Sequence, residues 1–217
     1  MPLALFDLDN TLIAGDSDYL WGRFLSQRDG RDGPAYEIRN RQFLREYEQG
    51  SLDIHAYLAF HLGYLARKEM TQLLEWRRIF LEEIISPLVL PKGVSLVEEH
   101  RHRGDTLVII TATNRFVTEP IAALFGIETL LATEVEMVDG RITGVSPGVP
   151  CFREGKVTRL RAWMQAAGHG LSGSHFYSDS HNDLPLLALV ERPVVVDPDP
   201  KLADHAKRRG WPILSLR

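Results

Sequence analysis

One cysteine, Cys151, is all that 217 residues contain. An internal disulfide is therefore excluded, and a reducing, cytoplasmic setting is the compartment expected. Flanked by Pro150 and Phe152, the lone thiol reads as a packed small residue rather than a nucleophile. Long apolar runs are missing too. No stretch approaches the roughly 20 residues that a membrane-spanning helix needs. The N-terminus has no basic segment leading into an apolar core and a small-residue cleavage site. Positive charge is short: 25 Lys and Arg against 29 Asp and Glu leave a net charge of −4. That argues against a nucleic acid or an anionic membrane as partner, since either needs a basic surface. The basic stretch RHRGDTL, residues 101–107, reads as a helix C-terminus capped by Gly104. The histidines show no zinc-ligand spacing, and repeats and low-complexity tracts are absent.

What is there divides into two patterns. Leu3–Asp9 is a continuous apolar run ending in acids, the mark of a short buried strand. From Ser17 to about residue 83, apolar residues recur at three- and four-residue steps in four blocks. Gly30, Gly33–Pro34, Gly50 and the stretch 68–70 separate the blocks, and Ser51 and Asp53 are placed as helix N-caps. No strand signal interrupts them. At SPLVLPKG, residues 86–93, prolines and a glycine break the helical pattern. Beyond it strands and helices alternate: a helix from about Val94 to Arg103, the β-branched run TLVIITAT, the helix RFVTEPIAALFG, and strands around an Asp139–Gly140 hairpin turn. The helix EGKVTRLRAWMQAAG, the strand HFYSDS, the helix NDLPLLALV and the strand PVVVDPD complete the series. Such alternation predicts an α/β fold with three layers, a Rossmann-like parallel sheet covered on both faces. The helical block is then an all-helical cap over 15–85, inserted into a core formed by 1–14 and 86–217.

In such a sheet, ligands bind beyond the carboxyl ends of the strands. After the first strand come Asp7, Asp9 and Thr11; after the second, Thr111, Ala112, Thr113 and Asn114; after HFY, Ser178, Asp179, Ser180, His181, Asn182 and Asp183. Lys156 opens an intervening helix. Asp7 and Asp9 lie two apart on a strand, so they share a side, and like charges that close call for a cation between them. A carboxylate can attack phosphorus and form an aspartyl-phosphate. Mg2+, a hard cation held by a few carboxylates, phosphate oxygen and water, offsets the repulsion between the two anions. Asp7 and Asp179 are its natural ligands, with Asp183 nearby. Asp9 is placed to protonate the leaving oxygen and later to activate water. Thr111 and neighbouring backbone N–H groups suit phosphoryl oxygens, and Lys156 suits their charge. Plainer roles compete: Asp16 as N-cap of the helix at Ser17, Asp183 as a first-turn acid favoured by the helix dipole, and His181 as a surface residue.

Four groups in this order, Asp7-Leu-Asp9-Asn-Thr11, Thr111, Lys156 and Asp179-Ser-His-Asn182-Asp183, resemble the motifs of the haloacid dehalogenase-like superfamily. A helical insert directly after the first motif is similar to the phosphoserine phosphatase-like subclass. The resemblance implies Asp7 as nucleophile, Asp9 as acid and base, and Mg2+ bound by Asp7, the Asp9 backbone carbonyl and Asp179. Asn182 and Asp183 would support metal and nucleophile. It also implies that Asp16 meets a substrate amine. Thr111-Ala112-Thr113-Asn114 in place of a serine followed by glycines, Ser178 in place of a glycine, and the lack of a matching cap arginine depart from phosphoserine phosphatases. GDSDYLW and TATNRFVTEPIA resemble a histidinol-phosphatase-like bacterial branch. The expectation is therefore a Mg2+-dependent phosphatase of a small phosphomonoester, an amino-alcohol or amino-acid phosphate such as histidinol phosphate or phosphoserine. A phosphotransferase on the same scaffold and a receiver-like phospho-aspartate module are the alternatives.

Overall fold

The computed structural model describes residues 1–28 and 33–217, so the break read at Gly30 lies outside the described residues. Strand β1 (Leu3–Phe6) is completely buried. Its alternate side chains face opposite ways, as strand geometry requires. Ala4 and Phe6 enter one apolar cluster, Leu3 and Leu5 the other. Each such buried side chain contributes roughly 1.5–3 kcal/mol, which is why the run is continuously apolar.

The chain then leaves the sheet for α1 (Ser17–Arg28), α2 (Gly33–Gln49), α3 (Ile54–Leu65) and α4 (Met70–Phe80). Asp53 caps α3, accepting from His55 N at 3.0 Å and Ala56 N at 3.1 Å. Ser51 does not act as a cap; its hydroxyl donates back to the Glu46 carbonyl. Beyond α4 the helix widens over Leu81–Ile85 and tightens into one turn over Ser86–Leu88. Next come α5 (Pro91–His102), β2 (Thr106–Asn114), α6 (Arg115–Leu124) and β3 (Thr129–Thr133). A small hairpin, β4 (Met137–Val138) and β5 (Arg141–Ile142), turns at Asp139 and Gly140, both with positive φ. Then follow α7 (Glu154–Ala167), β6 (His175–Ser178), α8 (Leu184–Leu187), β7 (Arg192–Val196), α9 (Pro200–Arg209) and β8 (Ile213–Leu214).

Six strands form one parallel sheet in the order β3-β2-β1-β6-β7-β8. Apolar residues of α5 and α6 pack on one face, those of α7, α8 and α9 on the other. The chain runs outward from β1 through β2 to β3, then returns to lay β6 on the free side of β1. That reversal puts the topological switch point between β1 and β6, where the end of one strand supplies Asp7 and the end of the other Asp179.

Three elements differ from the periodicity. Helix α5 starts at Pro91, three residues before the expected Val94, because a proline at a first helical position gives up only an N–H that has no intrahelical partner. The segment expected as one helix over NDLPLLALV is a tight turn over His181–Asp183 followed by the short α8. Helix α9 and β8, which the strand–helix series above does not reach, extend the sheet by one edge strand. No helix among the described residues is long and apolar enough to cross a membrane.

Two seams join the helical block to the α/β core. The outgoing and returning chains hydrogen-bond to each other: Ala14 N donates to Leu88 O at 2.7 Å and Leu90 N to Leu12 O at 3.1 Å. Trp21, buried on α1, stacks on Phe24 and meets Phe80 and, across the seam, Phe116 of α6. Pro120 cannot donate to the Phe116 carbonyl one turn back. Arg77 of α4 fills that vacancy, donating to Phe116 O at 2.8 Å.

Candidate active site

Asp7 begins where β1 ends, its N–H still donating to Tyr177 O of β6 at 2.9 Å. The next residues curl tightly, with Thr11, Leu12 and Ile13 N–H groups all converging on the Leu8 carbonyl. The turn needs a positive φ at Asn10, a residue that tolerates it. Asp7 and Asp9 are thereby both delivered to one cleft between core and helical block, which Asp16, Thr111, Ala112, Lys156 and Asp179 also line. The structure therefore brings most of the predicted residues together.

Lys156 sits in the first turn of α7 and is almost completely buried. Its ammonium donates to Asp7 Oδ1 at 2.9 Å and to Asp183 Oδ2 at 2.7 Å. Burial disfavours its charge, but Asp183 and Asp7 more than offset this and hold it protonated. Burial pushes Asp7 up to about 7 against the pull of Lys156, with Asp183 and Asp9 adding repulsion. Asp179 is raised as well, by burial and then by Asp7 and Asp183; Thr11 Oγ1, donating at 3.2 Å, works against that. Two buried carboxylates, Asp7 and Asp183, thus share one ammonium, and Asp179 adds a third acid beside them with no cation of its own among the described residues. The site is short of positive charge and rich in hard oxygen donors, which fits Mg2+. Among the described residues no three acidic, histidine or cysteine side chains form a closed metal cage. Mg2+ ordinarily takes one or two carboxylates and completes its shell with phosphate and water.

Asp9 is held differently. Its Oδ1 accepts from Ser17 N and its Oδ2 from Thr113 Oγ1, both at 2.7 Å. Burial and repulsion by Asp16 raise it to about 6, against these two hydrogen bonds. Thr111 Oγ1 accepts from Thr113 N at 3.2 Å, which leaves the Thr111 hydroxyl proton free for an acceptor in the cleft. Asp16 acts as the helix cap read from sequence, its Oδ1 accepting from Asp18 N and Tyr19 N, and the residue also lines the cleft.

Two predicted residues, Asn182 and Asp183, make no direct hydrogen bond to the nucleophile. Asn182 Oδ1 accepts from Arg153 Nε, and its Nδ2 donates to Tyr47 O of α2 at 3.1 Å. It ties core to helical block rather than reaching Asp7. Asp183 grips Lys156 and takes a further hydrogen bond from Ser178 Oγ at 2.7 Å. Ser178, which the sequence marks only as a departure from the family's glycine, thus orients the acid that orients the lysine. Around Asn182, Arg153 also donates to Gly50 O and Lys201 to Gln49 O, so core side chains hold the carbonyls at the end of α2. Gly50 is required there: its φ is +76°, and a Cβ would lie 2.9 Å from His181 Nε2. His181 is half-buried and pairs with Asp199 instead of entering the cleft. Cys151 is fully buried, donates to the Leu131 carbonyl and is pushed by burial up to about 12, far from a nucleophile's range.

Sequence reasoning missed Thr113, Ser17 and Asp18 as site residues. Thr113 stands two positions after Thr111, and strand periodicity alone points both to one side.

Residues 4–188 match the family of haloacid dehalogenase-like hydrolases. The chain is 45% identical over 219 residues to a histidinol-phosphatase of Neisseria meningitidis serogroup C (strain 8013), covering 99% of each. A solved structure of a protein of unknown function from Bordetella pertussis Tohama I superposes with TM-score 0.93 at 42% identity, over 100% of this chain and 99% of that one. A phosphoserine phosphatase solved as a phospho-aspartyl intermediate analogue superposes with TM-score 0.73 at 17% identity, over 100% of this chain and 93% of that one, a likeness of fold.

Proposed function

The chain belongs to the haloacid dehalogenase-like hydrolases, as a capped phosphoric monoester hydrolase, and on that premise we propose that it is a Mg2+-dependent phosphatase of a small phosphomonoester bearing an amine and no carboxylate. Histidinol phosphate fits this description better than phosphoserine. One observation carries the choice. Among the described residues lining the cleft, Lys156 is the single cation, and it is held by Asp7 and Asp183, whereas Asp16 and Asp18 bring negative charge to the substrate's side. A substrate carboxylate would meet no cation of its own there; an ammonium would meet two acids. The 45% identity to a histidinol-phosphatase supports the same reading.

Asp7 attacks phosphorus through the oxygen not shared with Lys156. Asp9, at about 6, is poised near neutrality to give its proton to the departing alcohol oxygen. The phosphoryl group is then on Asp7. Asp9, now ionised, takes a proton from water, which attacks the aspartyl-phosphate and frees phosphate. The Thr111 hydroxyl and Lys156 donate to phosphoryl oxygens as charge builds on them. Asp7, Asp179 and the Asp9 carbonyl would hold Mg2+, which supplies the missing positive charge opposite the phosphate. The helical block covers the cleft, excludes bulk water and selects the alcohol.

Phosphate release from histidinol phosphate, phosphoserine and an aryl phosphate tests this, with Mg2+ and with chelator, in wild type and Asp7→Asn. The expected result is multiple turnover on histidinol phosphate that needs Mg2+ and falls by about a thousandfold or more in Asp7→Asn. Equal turnover in Asp7→Asn removes the nucleophile. Phosphate appearing on an added alcohol instead of in solution would mark a phosphotransferase, and labelling of one phosphate per chain without turnover a receiver-like module.

A further inference from the structure

Under the helical block lies one acid that takes no part in the phosphoryl transfer itself. Asp18 stands in the first turn of α1, lines the cleft and is 8% exposed. The Tyr57 hydroxyl donates a hydrogen bond to its carboxyl group, but Oδ1 of that group is shut off from solvent and no described residue donates to that oxygen. A buried carboxylate oxygen without a donor is costly, and the attraction of a first helical turn for an acid is small beside that cost. The helix cap does not need Asp18, because Asp16 already performs it. What the oxygen lacks is a donor that arrives from outside the chain.

The surroundings narrow the kind of donor. Asp16 and Asp18 both feel the acids of the reacting end: Asp16 repels Asp9, and Asp18 is repelled by Asp9 while itself repelling Asp16. The wall beside Asp18 is apolar and partly aromatic, with Phe43 and Tyr57 set perpendicular at 5.3 Å between ring centroids and Leu52 and Ile54 next to them. Such a wall suits a flat ring better than a hydrated chain. We propose that Asp18 is a specificity-determining residue that receives a second nitrogen donor of the substrate, carried on a heteroaromatic ring seated against Phe43 and Tyr57, while Asp16 meets the amine. The assignment rests on the amine-bearing reading of this same site and adds the group that distinguishes one amino-alcohol phosphate from another.

The test compares kcat/KM for histidinol phosphate with kcat/KM for phosphoethanolamine, which keeps the amine and lacks the ring, in wild type and Asp18→Asn. The ratio of the two is expected to fall about tenfold or more in the variant, chiefly through KM for histidinol phosphate. Equal loss on both substrates would overturn the proposal, since a merely structural role for Asp18 moves them together. Calorimetric titration of wild type with histidinol and with ethanolamine needs neither turnover nor the variant. Histidinol is expected to bind about tenfold more tightly or better, and equal affinities would also overturn the proposal. Tight binding of histidinol that weakens about tenfold in Asp18→Asn, without hydrolysis of its phosphate, would sink the functional reading while sustaining the role of Asp18.

Discussion

On the floor of the cleft every predicted carboxylate has a donor, whereas under the roof Asp18 keeps one oxygen without any. Asp7 and Asp183 share Lys156, Asp9 takes Ser17 and Thr113, and Asp179 takes Thr11. The floor's donors come from distant parts of the chain: Lys156 lies 149 residues from Asp7, and Thr113 lies 104 from Asp9. A floor wired this way is organised before substrate arrives, as charge stabilisation in a transition state requires. The roof is built the other way, with apolar walls and an unmet acceptor that await a ligand. On the proposed reading, reaction and selection are carried by structures with opposite degrees of internal satisfaction.

That contrast breaks most visibly at Lys156. Replacing it in Lys156→Met leaves Asp7 and Asp183 buried without their shared cation, and unfolding in denaturant is expected to show a loss of about 3–5 kcal/mol. A loss below about 1 kcal/mol would mean that the floor is not held by this ammonium.

The roof predicts the opposite sign. Burial pushes Asp18 up to about 7, from 3.8 in the unfolded chain. A carboxyl raised on folding binds its proton more tightly in the folded state. Its share of stability is fully present below pH 4 and is lost as pH rises through about 7. Asp18→Asn should therefore stabilise the protein at pH 8, by on the order of 2 kcal/mol, and the gain should vanish towards pH 4. Thermal unfolding at the two pH values reads this directly, and a gain independent of pH would contradict it. Stability gained at a position where selectivity is lost is the expected trade at a binding residue.

The smallest effect belongs to Thr113. Thr113→Val removes one of the two donors to Asp9, and kcat is expected to fall by about tenfold at most. Losing that donor raises the Asp9 carboxyl further above about 6. Hydrolysis of the intermediate, which on the proposed mechanism needs Asp9 ionised, should then move to higher pH by up to about one unit. A pH–rate profile superposable on wild type would show that Thr113 does not tune Asp9.

The strand ends were legible because a buried parallel strand must be apolar until it reaches the ligand edge, so acids following β1 and β6 stand out at once. Spacing alone also placed Lys156 at the start of a helix. Asn182 was not legible. Its neighbours in sequence belong to the site, but its side chain is turned by Arg153 and Tyr47, and nothing local announces either. Ser178 and Thr113 were hidden for the same reason, as their roles are fixed by partners rather than by periodicity. Asp18 was masked by Asp16, whose cap geometry accounts for an acid at that helix start and leaves a second one unremarked. Helix α5 was misplaced by three residues because Pro91 can open a helix as well as end one.

The grip on the end of α2 has a consequence for how such a protein can change. Arg153, Asn182 and Lys201 of the core all hold carbonyls of the main chain, at Gly50, Tyr47 and Gln49. Every residue type presents the same carbonyl. Side chains along α2 that face the cleft and take no part in these bonds, Phe43 and Leu44, can be exchanged without undoing this main-chain grip. This main-chain grip is blind to the identity of what it fastens, so a lineage can trial new pocket walls one substitution at a time while the helix stays anchored in the same place.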